Sequence, residues 1–247
     1  MKVAILSDIH SNLEALRACL AHANAQGVDR HAFLGDLVGY GADPLACLDT
    51  IETLVGKGAI SVCGNHDEAA LSGLCENMNF AARDAIYWTR SQLGPKERTF
   101  LQGLPMFVRQ DETLYVHASA DDPGRWTYID SAKQAARCMK AAETAFTFAG
   151  HVHIPTLYYS SDRGTPRAFH PVPGVPIPVA SYRRWLAIVG SVGQPRDGNN
   201  AAAYAIHDRK QKALTFFRVP YDYMSTAKKI LAAGLPQRLA LRLESGH

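Results

Sequence analysis

Asp8 and His10, Asp36, Asn65-His66-Asp67, His117, and the pair His151 and His153 distribute carboxylates, imidazoles and an amide along the chain, each just after a short apolar run. Singly, any of these histidines reads as an ordinary hydrogen-bonded residue. Jointly they recur at one edge of almost every predicted strand, where folding alone has no use for them. Imidazole, carboxylate and amide ligands without thiolate suit divalent Mn, Fe, Co, Ni or Zn, and the set is large enough for two ions. A carboxylate between two cations can bridge them, and a water they share becomes hydroxide near neutral pH because both cations stabilise the anion. Such a hydroxide is the nucleophile that hydrolysis of a phosphate ester needs.

The elements that must position these residues follow from hydrophobic period. Lys2 to Ser7 is a short apolar run, and Asn12 to Gln26 carries Leu13, Leu16 and Leu20 at helical spacing. A second apolar run covers Ala32 to Gly35. Pro44 to Val55 reads as a helix with Asp43 as N-cap, and Ala59 to Cys63 as a strand. This β-α-β order implies a parallel sheet at the start. Two helices follow between Asn79 and Gln102, broken at Gly94-Pro95. The second half is mainly β: a hairpin of Phe107 to Gln110 with Thr113 to His117, a helix at Ser131 to Ala142, then strands at Phe146 to Ala149, Thr156 to Ser160, Trp185 to Val189, Ala203 to His207 and Ala213 to Val219. Asp162 to Ser181, rich in Pro and Gly, reads as a loop excursion, and Tyr223 to Ala232 and Pro236 to Leu243 as closing helices.

Each polar cluster then sits at the C-terminal end of a strand, where open α/β sheets place their ligand crevice. The separation of two within Asp8-x-His10 and His151-x-His153 puts both side chains on one side of an extended path.

With 247 residues, a single domain spanning 1–247 is expected. A formal charge of +3 is too small a bias to indicate a membrane surface or long nucleic acids, and it suits a small anionic substrate. The opening apolar stretch ends at Asp8, too soon for a signal-peptide core, so a cytoplasmic location is expected. Cys19, Cys47, Cys63, Cys75 and Cys138 form no close pair and read as small core residues. Oligomeric state is not legible.

Asp8-x-His10, Gly35-Asp36, Gly64-Asn65-His66-Asp67, His117 and Gly150-His151-x-His153 resemble, in order and approximate spacing, the calcineurin-like metallophosphoesterases. Gly190 to Gly198 is similar to a loop of the small prokaryotic phosphodiesterase branch. The resemblance implies a four-layer α/β/β/α sandwich, two mixed sheets packed face to face with helices on both outer faces. It implies that Asp8, His10 and His153 hold one divalent transition-metal ion, that Asn65, His117 and His151 hold a second, and that Asp36 bridges them. His66 would face the substrate and assist the leaving oxygen. Relatives in the protein-phosphatase branch carry an aspartate three residues after the bridging one. Here that position is Gly39, so the usual carboxylate partner of His66 is missing. Asp67 is not expected to replace it, since neighbours on an extended path point apart.

Other candidates weigh less. Arg196 could clamp a phosphate oxygen, with the Gly-rich loop letting backbone approach an anion, or could be a solvated arginine on a tight hairpin. Arg125 and Trp126 could meet a leaving group by charge and stacking, but read more simply as loop residues. Gly39-Tyr40-Gly41 lacks the third glycine of a dinucleotide fingerprint, and Ser119 lies in no nucleophile elbow. The expected activity is therefore hydrolysis of a small phosphodiester, with nucleoside polyphosphate hydrolase, phosphomonoesterase and nuclease as alternatives. A non-catalytic scaffold, the role this fold has in the retromer complex, would have lost part of the ligand set. Every expected position is occupied here.

Overall fold

The computed structural model describes residues 1–75, 78–161 and 164–247. Its elements run β1 (Lys2–Leu6), α1 (Leu13–Ala25), β2 (Arg30–Phe33), α2 (Pro44–Gly56), β3 (Ile60–Ser61), α3 (Asn65–Ser72), α4 (Phe80–Gln92), α5 (Pro95–Gln102), β4 (Phe107–Gln110) and β5 (Thr113–Val116). Then come α6 (Ala132–Ala142), β6 (Phe146–Ala149), β7 (Thr156–Ser160), β8 (Arg167–Phe169), β9 (Ile177–Pro178), β10 (Arg184–Ile188), β11 (Ala202–Asp208), β12 (Ala213–Val219), α7 (Tyr223–Ala232) and α8 (Gln237–Ser245).

Local chemistry accounts for most boundaries. The Asn12 side chain accepts from the Ala15 N–H at 3.1 Å and starts α1, which buries Leu13, Leu16 and Cys19 on one face. Ser131 caps α6 in the same way, and Glu97 reaches back to the Gly94 N–H at 3.0 Å where α4 gives way to α5. Asp43 stands at the N-cap of α2 but makes no capping bond. Its carboxylate pairs instead with Lys229 at 2.8 Å, so Pro44, with its φ pre-set, is what begins that helix.

Two six-stranded mixed sheets form, ordered β3-β2-β1-β11-β12-β9 and β4-β5-β6-β10-β7-β8. Within the first, β1, β2 and β3 are parallel, and within the second, β5, β6 and β10 are parallel. Each set therefore ends its strands at a common edge. The sheets face one another across a core that joins Ile5, Ala32 and Leu34 to Phe148, Leu157 and Ala187. Helices α1 and α2 cover the outer face of the first sheet, with Leu16, Cys47 and Ile51 against Phe33 and Tyr204. Helix α6 covers that of the second, with Cys138 and Met139 against Leu186 and Ile188. The architecture is the four-layer α/β/β/α sandwich, and all five cysteines are free and buried.

Three stretches differ from their sequence reading. β3 is two residues long because its ladder partner changes: the Val62 N–H bonds to Phe33 O at 3.0 Å, but that of Cys63 turns to Pro105 O at 2.9 Å. Asn65 to Asp67 is not extended but opens α3, where the Asp67 carboxylate accepts from the Gly64 N–H at 3.0 Å. The Pro- and Gly-rich stretch contains the short strands β8 and β9, while Asp162, where that reading begins, lies outside the described residues.

Candidate metal centre

The polar clusters meet at the edge where the parallel strands end. β1 stops at Leu6, and Asp8 (φ 54°), His10 (φ 50°) and Ser11 (φ 52°) are left-handed, so Asp8 and His10 do not share the side of an extended strand as their spacing suggested. A turn brings them together. Its N–H groups are pinned to the loop after β2: Asp8 to Gly35 O at 3.1 Å, His10 to Asp36 O at 2.9 Å and Ser11 to Leu37 O at 3.1 Å. Asp36 (φ 50°), His151 (φ 66°) and His153 (φ 65°) are left-handed as well. A non-glycine residue there costs about 1–2 kcal/mol, and such strain gathers at functional sites because surrounding structure over-determines it.

The side chains form two groups that share one member. Asp8 Oδ1 lies 3.1 Å from His153 Nε2, His10 Nε2 lies 3.2 Å from His153 Nε2, and Asp36 Oδ2 is 3.6 Å from His10 Nε2. On the other side, Asp36 Oδ2 is 3.4 Å from His117 Nε2, which is 3.2 Å from His151 Nδ1 and 3.1 Å from Asn65 Oδ1. Each group's carboxylate and imidazole ligand atoms fall within 4.8 Å of one another, and Asp36 belongs to both.

Proton bookkeeping makes these groups fit cations. Backbone carbonyls only accept, so His10 Nδ1 facing Val38 O (3.2 Å), His153 Nδ1 facing Gln194 O (2.6 Å) and His117 Nδ1 facing Leu34 O (2.7 Å) must carry hydrogen. The Nε2 atoms of neutral rings are then lone pairs aimed at one another, at carboxylate oxygens and at the Asn65 carbonyl. Imidazoles anchored through the opposite nitrogen are what metal sites use. The local field agrees. Burial pushes His10, His151 (to about 3) and His153 down, toward the neutral form. His117 is the exception: burial opposes its charge, yet Asp36 pushes it up to about 9, so this corner attracts a proton as it would a metal cation. Burial would likewise raise Asp8 and Asp36, but the neighbouring His153 and His117 hold both below the ordinary carboxylate range.

His66 lies beside the groups and outside them. In the first turn of α3 its N–H donates to Asp36 Oδ1 at 2.8 Å, and its ring packs 4.5 Å from Tyr40 and 4.8 Å from His10. Its buried Nδ1 has no hydrogen-bond partner among the described residues. Gly39 (φ +90°) backs onto that nitrogen so closely that a Cβ there would come within 2.5 Å. Burial pushes His66 down to about 4. Asp67, the adjacent carboxylate, is taken up by the N–H groups of Leu37 (2.9 Å), Val38 (3.1 Å) and Gly64 (3.0 Å), a structural role set by the helix start and not by an extended path.

Arg196 stands on the loop after β10, with Nη2 3.2 Å from Gln194 Oε1 and 3.5 Å from Tyr40 Oη. Three N–H groups of the Gly-rich backbone before it are taken up within the chain. The N–H of Val192 is bound to Ser7 O (3.0 Å), that of Gly193 to Asp8 O (2.8 Å) and that of Gln194 to Ser191 Oγ (2.8 Å), strapping the loop onto the turn after β1. A Cβ at Gly193 would collide with Ile9 O, which is why glycine stands there. Ser119 accepts from the Asp121 N–H within a turn. Tyr128, unremarked in the sequence, stacks on His151 with ring centroids 4.0 Å apart, and only its nearness in sequence to Arg125 and Trp126 could have signalled it.

Comparison with known proteins gives the family and the fold. A sequence model described as the calcineurin-like phosphoesterase superfamily domain matches residues 1–212. The crystal structure of a metallophosphoesterase from Sphaerobacter thermophilus is 38% identical and superposes with a TM-score of 0.87, covering 100% of this chain and 99% of that one. An uncharacterized protein of Methanocaldococcus jannaschii is 34% identical over 255 residues, 99% of this chain and 98% of its own length. The symmetrical bis(5′-nucleosyl)-tetraphosphatase of Chromohalobacter salexigens is 31% identical over 137 residues, 55% of this chain and 49% of that protein.

Proposed function

The chain belongs to the calcineurin-like phosphoesterase superfamily, a family of metal-dependent phosphoric ester hydrolases, and from that premise we propose that it is a dinuclear phosphodiesterase acting on small phosphate esters. Asp8, His10 and His153 hold one divalent ion, Asn65, His117 and His151 the other, and Asp36 is common to both. The observation that carries this reading is the shared carboxylate, with Oδ2 at 3.6 Å from one group's imidazole and 3.4 Å from the other's. Two such ions, when bound, supply a water acidic enough to attack at neutral pH and neutralise the charge that builds on the phosphoryl oxygens.

The chain's own residues do the rest. His66, tied to Asp36 through its backbone N–H, is held neutral by burial, and the negative charge of a bound phosphate beside it favours the protonated ring that gives its proton to the departing oxygen. Arg196, beside Tyr40 on the same side as His66, offers its guanidinium to a non-bridging oxygen. Mn, Fe, Co, Ni and Zn all suit the donor set. The kinship with a bis(5′-nucleosyl)-tetraphosphatase over 55% of the chain keeps a nucleoside polyphosphate as the second reading of the substrate. No helix among the described residues is long and apolar enough to cross a membrane.

The test combines elemental analysis with hydrolysis of bis-p-nitrophenyl phosphate and p-nitrophenyl phosphate. Two ions per chain, loss of activity on chelation, recovery with Mn and faster cleavage of the diester are expected. Full activity in metal-free protein would overturn the dinuclear mechanism, and exclusive cleavage of the monoester would overturn the diester preference.

A further inference from the structure

A cleft of about 450 Å³ opens beside the second ligand group and is lined by Asn65 and His151 together with Glu68, Met78, Trp126 and Tyr128. Resting on the phosphoesterase reading above, we propose that this cleft holds a nucleobase of the substrate, so that the natural ester is a nucleotide. Because Asn65 and His151 form its inner wall, a group attached through one ester oxygen to a phosphate at the ligand groups reaches the cleft directly.

The wall is built from flat rings that the fold holds in place. Tyr128 stacks on His151 at 26° between planes and 4.0 Å between centroids, yet 48% of the residue stays exposed. Trp126 stands edge-on to His117 at 5.7 Å, and its indole N–H is fixed by Glu68 Oε2 at 2.9 Å. The loop that presents them is strained, with Asp122 (φ 61°) and Trp126 (φ 53°) left-handed on either side of the 3-10 turn Pro123–Arg125. Strain of this kind is retained where surrounding structure over-determines it. A large aromatic left half exposed beside a ligand group suits a planar guest. Met78 adds a polarizable apolar surface of the sort that packs on rings. At the polar end Glu68 can only accept, which matches the amino and imino N–H edge of a base and not a bare hydrocarbon ring. The volume is within the range of small-molecule sites.

Removing one stacking aromatic from a base site typically weakens binding roughly 5- to 150-fold. The experiment measures calorimetric binding of adenosine 5′-monophosphate, ribose 5-phosphate and inorganic phosphate to the Mn-loaded protein. Adenosine 5′-monophosphate should bind at least about tenfold more tightly than ribose 5-phosphate. Tyr128→Ala should remove most of that preference while leaving phosphate affinity unchanged, and Tyr128→Phe, which keeps the ring, should restore it. Equal binding of the two sugar phosphates by the parent would overturn the proposal. So would a uniform weakening of all three probes in Tyr128→Ala, since Tyr128 would then merely shield His151. Hydrolysis of bis-p-nitrophenyl phosphate by the same samples separates the two ideas. Intact hydrolysis without base preference sinks the base site alone, whereas base preference without any hydrolysis sinks the catalytic reading and leaves the base site standing.

Discussion

Replacing Gly39 by alanine should slow turnover without removing metal, through two costs that the structure lets one separate. At φ +90° an L-residue is strained by about 1–2 kcal/mol. In a chain of 247 residues this lowers the melting temperature by roughly 2–8 °C, at ~2–4 °C for each kcal/mol. The second cost falls on His66. The new Cβ would lie 2.5 Å from Nδ1, about 1 Å inside an ordinary contact, and Tyr40 and His10 pack the ring on its other sides. A displacement of about 1 Å in a catalytic group can cost ~10²-fold. The assay is kcat on a diester with a basic leaving group, with metal content measured alongside, in the parent, Gly39→Ala, His66→Gln and the double variant. If the alanine acts through His66, its effect on kcat should vanish once His66 is gone. An equal factor in both backgrounds would refute the reasoning. Gly39→Asp sharpens the test: by the family pattern it restores a carboxylate partner, but by this geometry its Cβ meets the same ring, so it should be at least as slow as Gly39→Ala.

Asp36→Asn should lose both ions and more activity than the 10- to 100-fold typical of a lost outer partner, while Asn65→Ala keeps the ion held by Asp8, His10 and His153. Parent-like metal content in Asp36→Asn, read by elemental analysis, would show that Asp36 is not shared. His66→Gln should retain its metal and lose roughly 10²- to 10⁴-fold in turnover, more on an alkoxide than on a nitrophenolate leaving group; equal losses on two diesters differing only in leaving-group pKa would refute its role. His207, 3% exposed and between Phe146 and Phe148, is pushed down to about 4 by burial. Below the unfolded value near 6.5 the unfolded chain takes the proton first, so this contribution is whole above about pH 6.5 and fades toward pH 4, by about 2 kcal/mol at pH 5. His207→Leu should therefore lose about 2 kcal/mol less than the parent between pH 7.5 and 5 in denaturant melts, and parallel pH curves would contradict the assignment.

The convergence of these Asp, Asn and His side chains was legible because topology, and not local conformation, assembles them. Parallel strands share a C-terminal edge, so polar residues just past β1, β2, β5 and β6 converge wherever their exact backbone path leads. The path itself was misread. Spacing of two suggested an extended pair at Asp8 and His10, whereas left-handed turns pinned to Gly35 O and Asp36 O do the work, and those bonds join segments more than twenty residues apart. At Asn65 the signals of a helix start were present, with Asp67 and Glu68 in the first turn and Gly73 at the end. Reading the segment as the tail of β3 hid them.

What stayed illegible depends on close approach between loops. From the sequence, Gly39 is a missing carboxylate; in the fold it is the space that the His66 ring fills, a distinction that no periodicity carries. Glycine at Gly193 likewise suggested a backbone cradle for an anion, yet its N–H is spent on Asp8 O and its missing Cβ admits Ile9 O. Both positions show glycines serving the protein's own packing around the Asp and His groups. On the proposed function, recognition of substrate then falls to side chains carried on loops, Arg196 beside Tyr40 and His66 on one rim and Tyr128 with Trp126 beside His151 and His117 on the other.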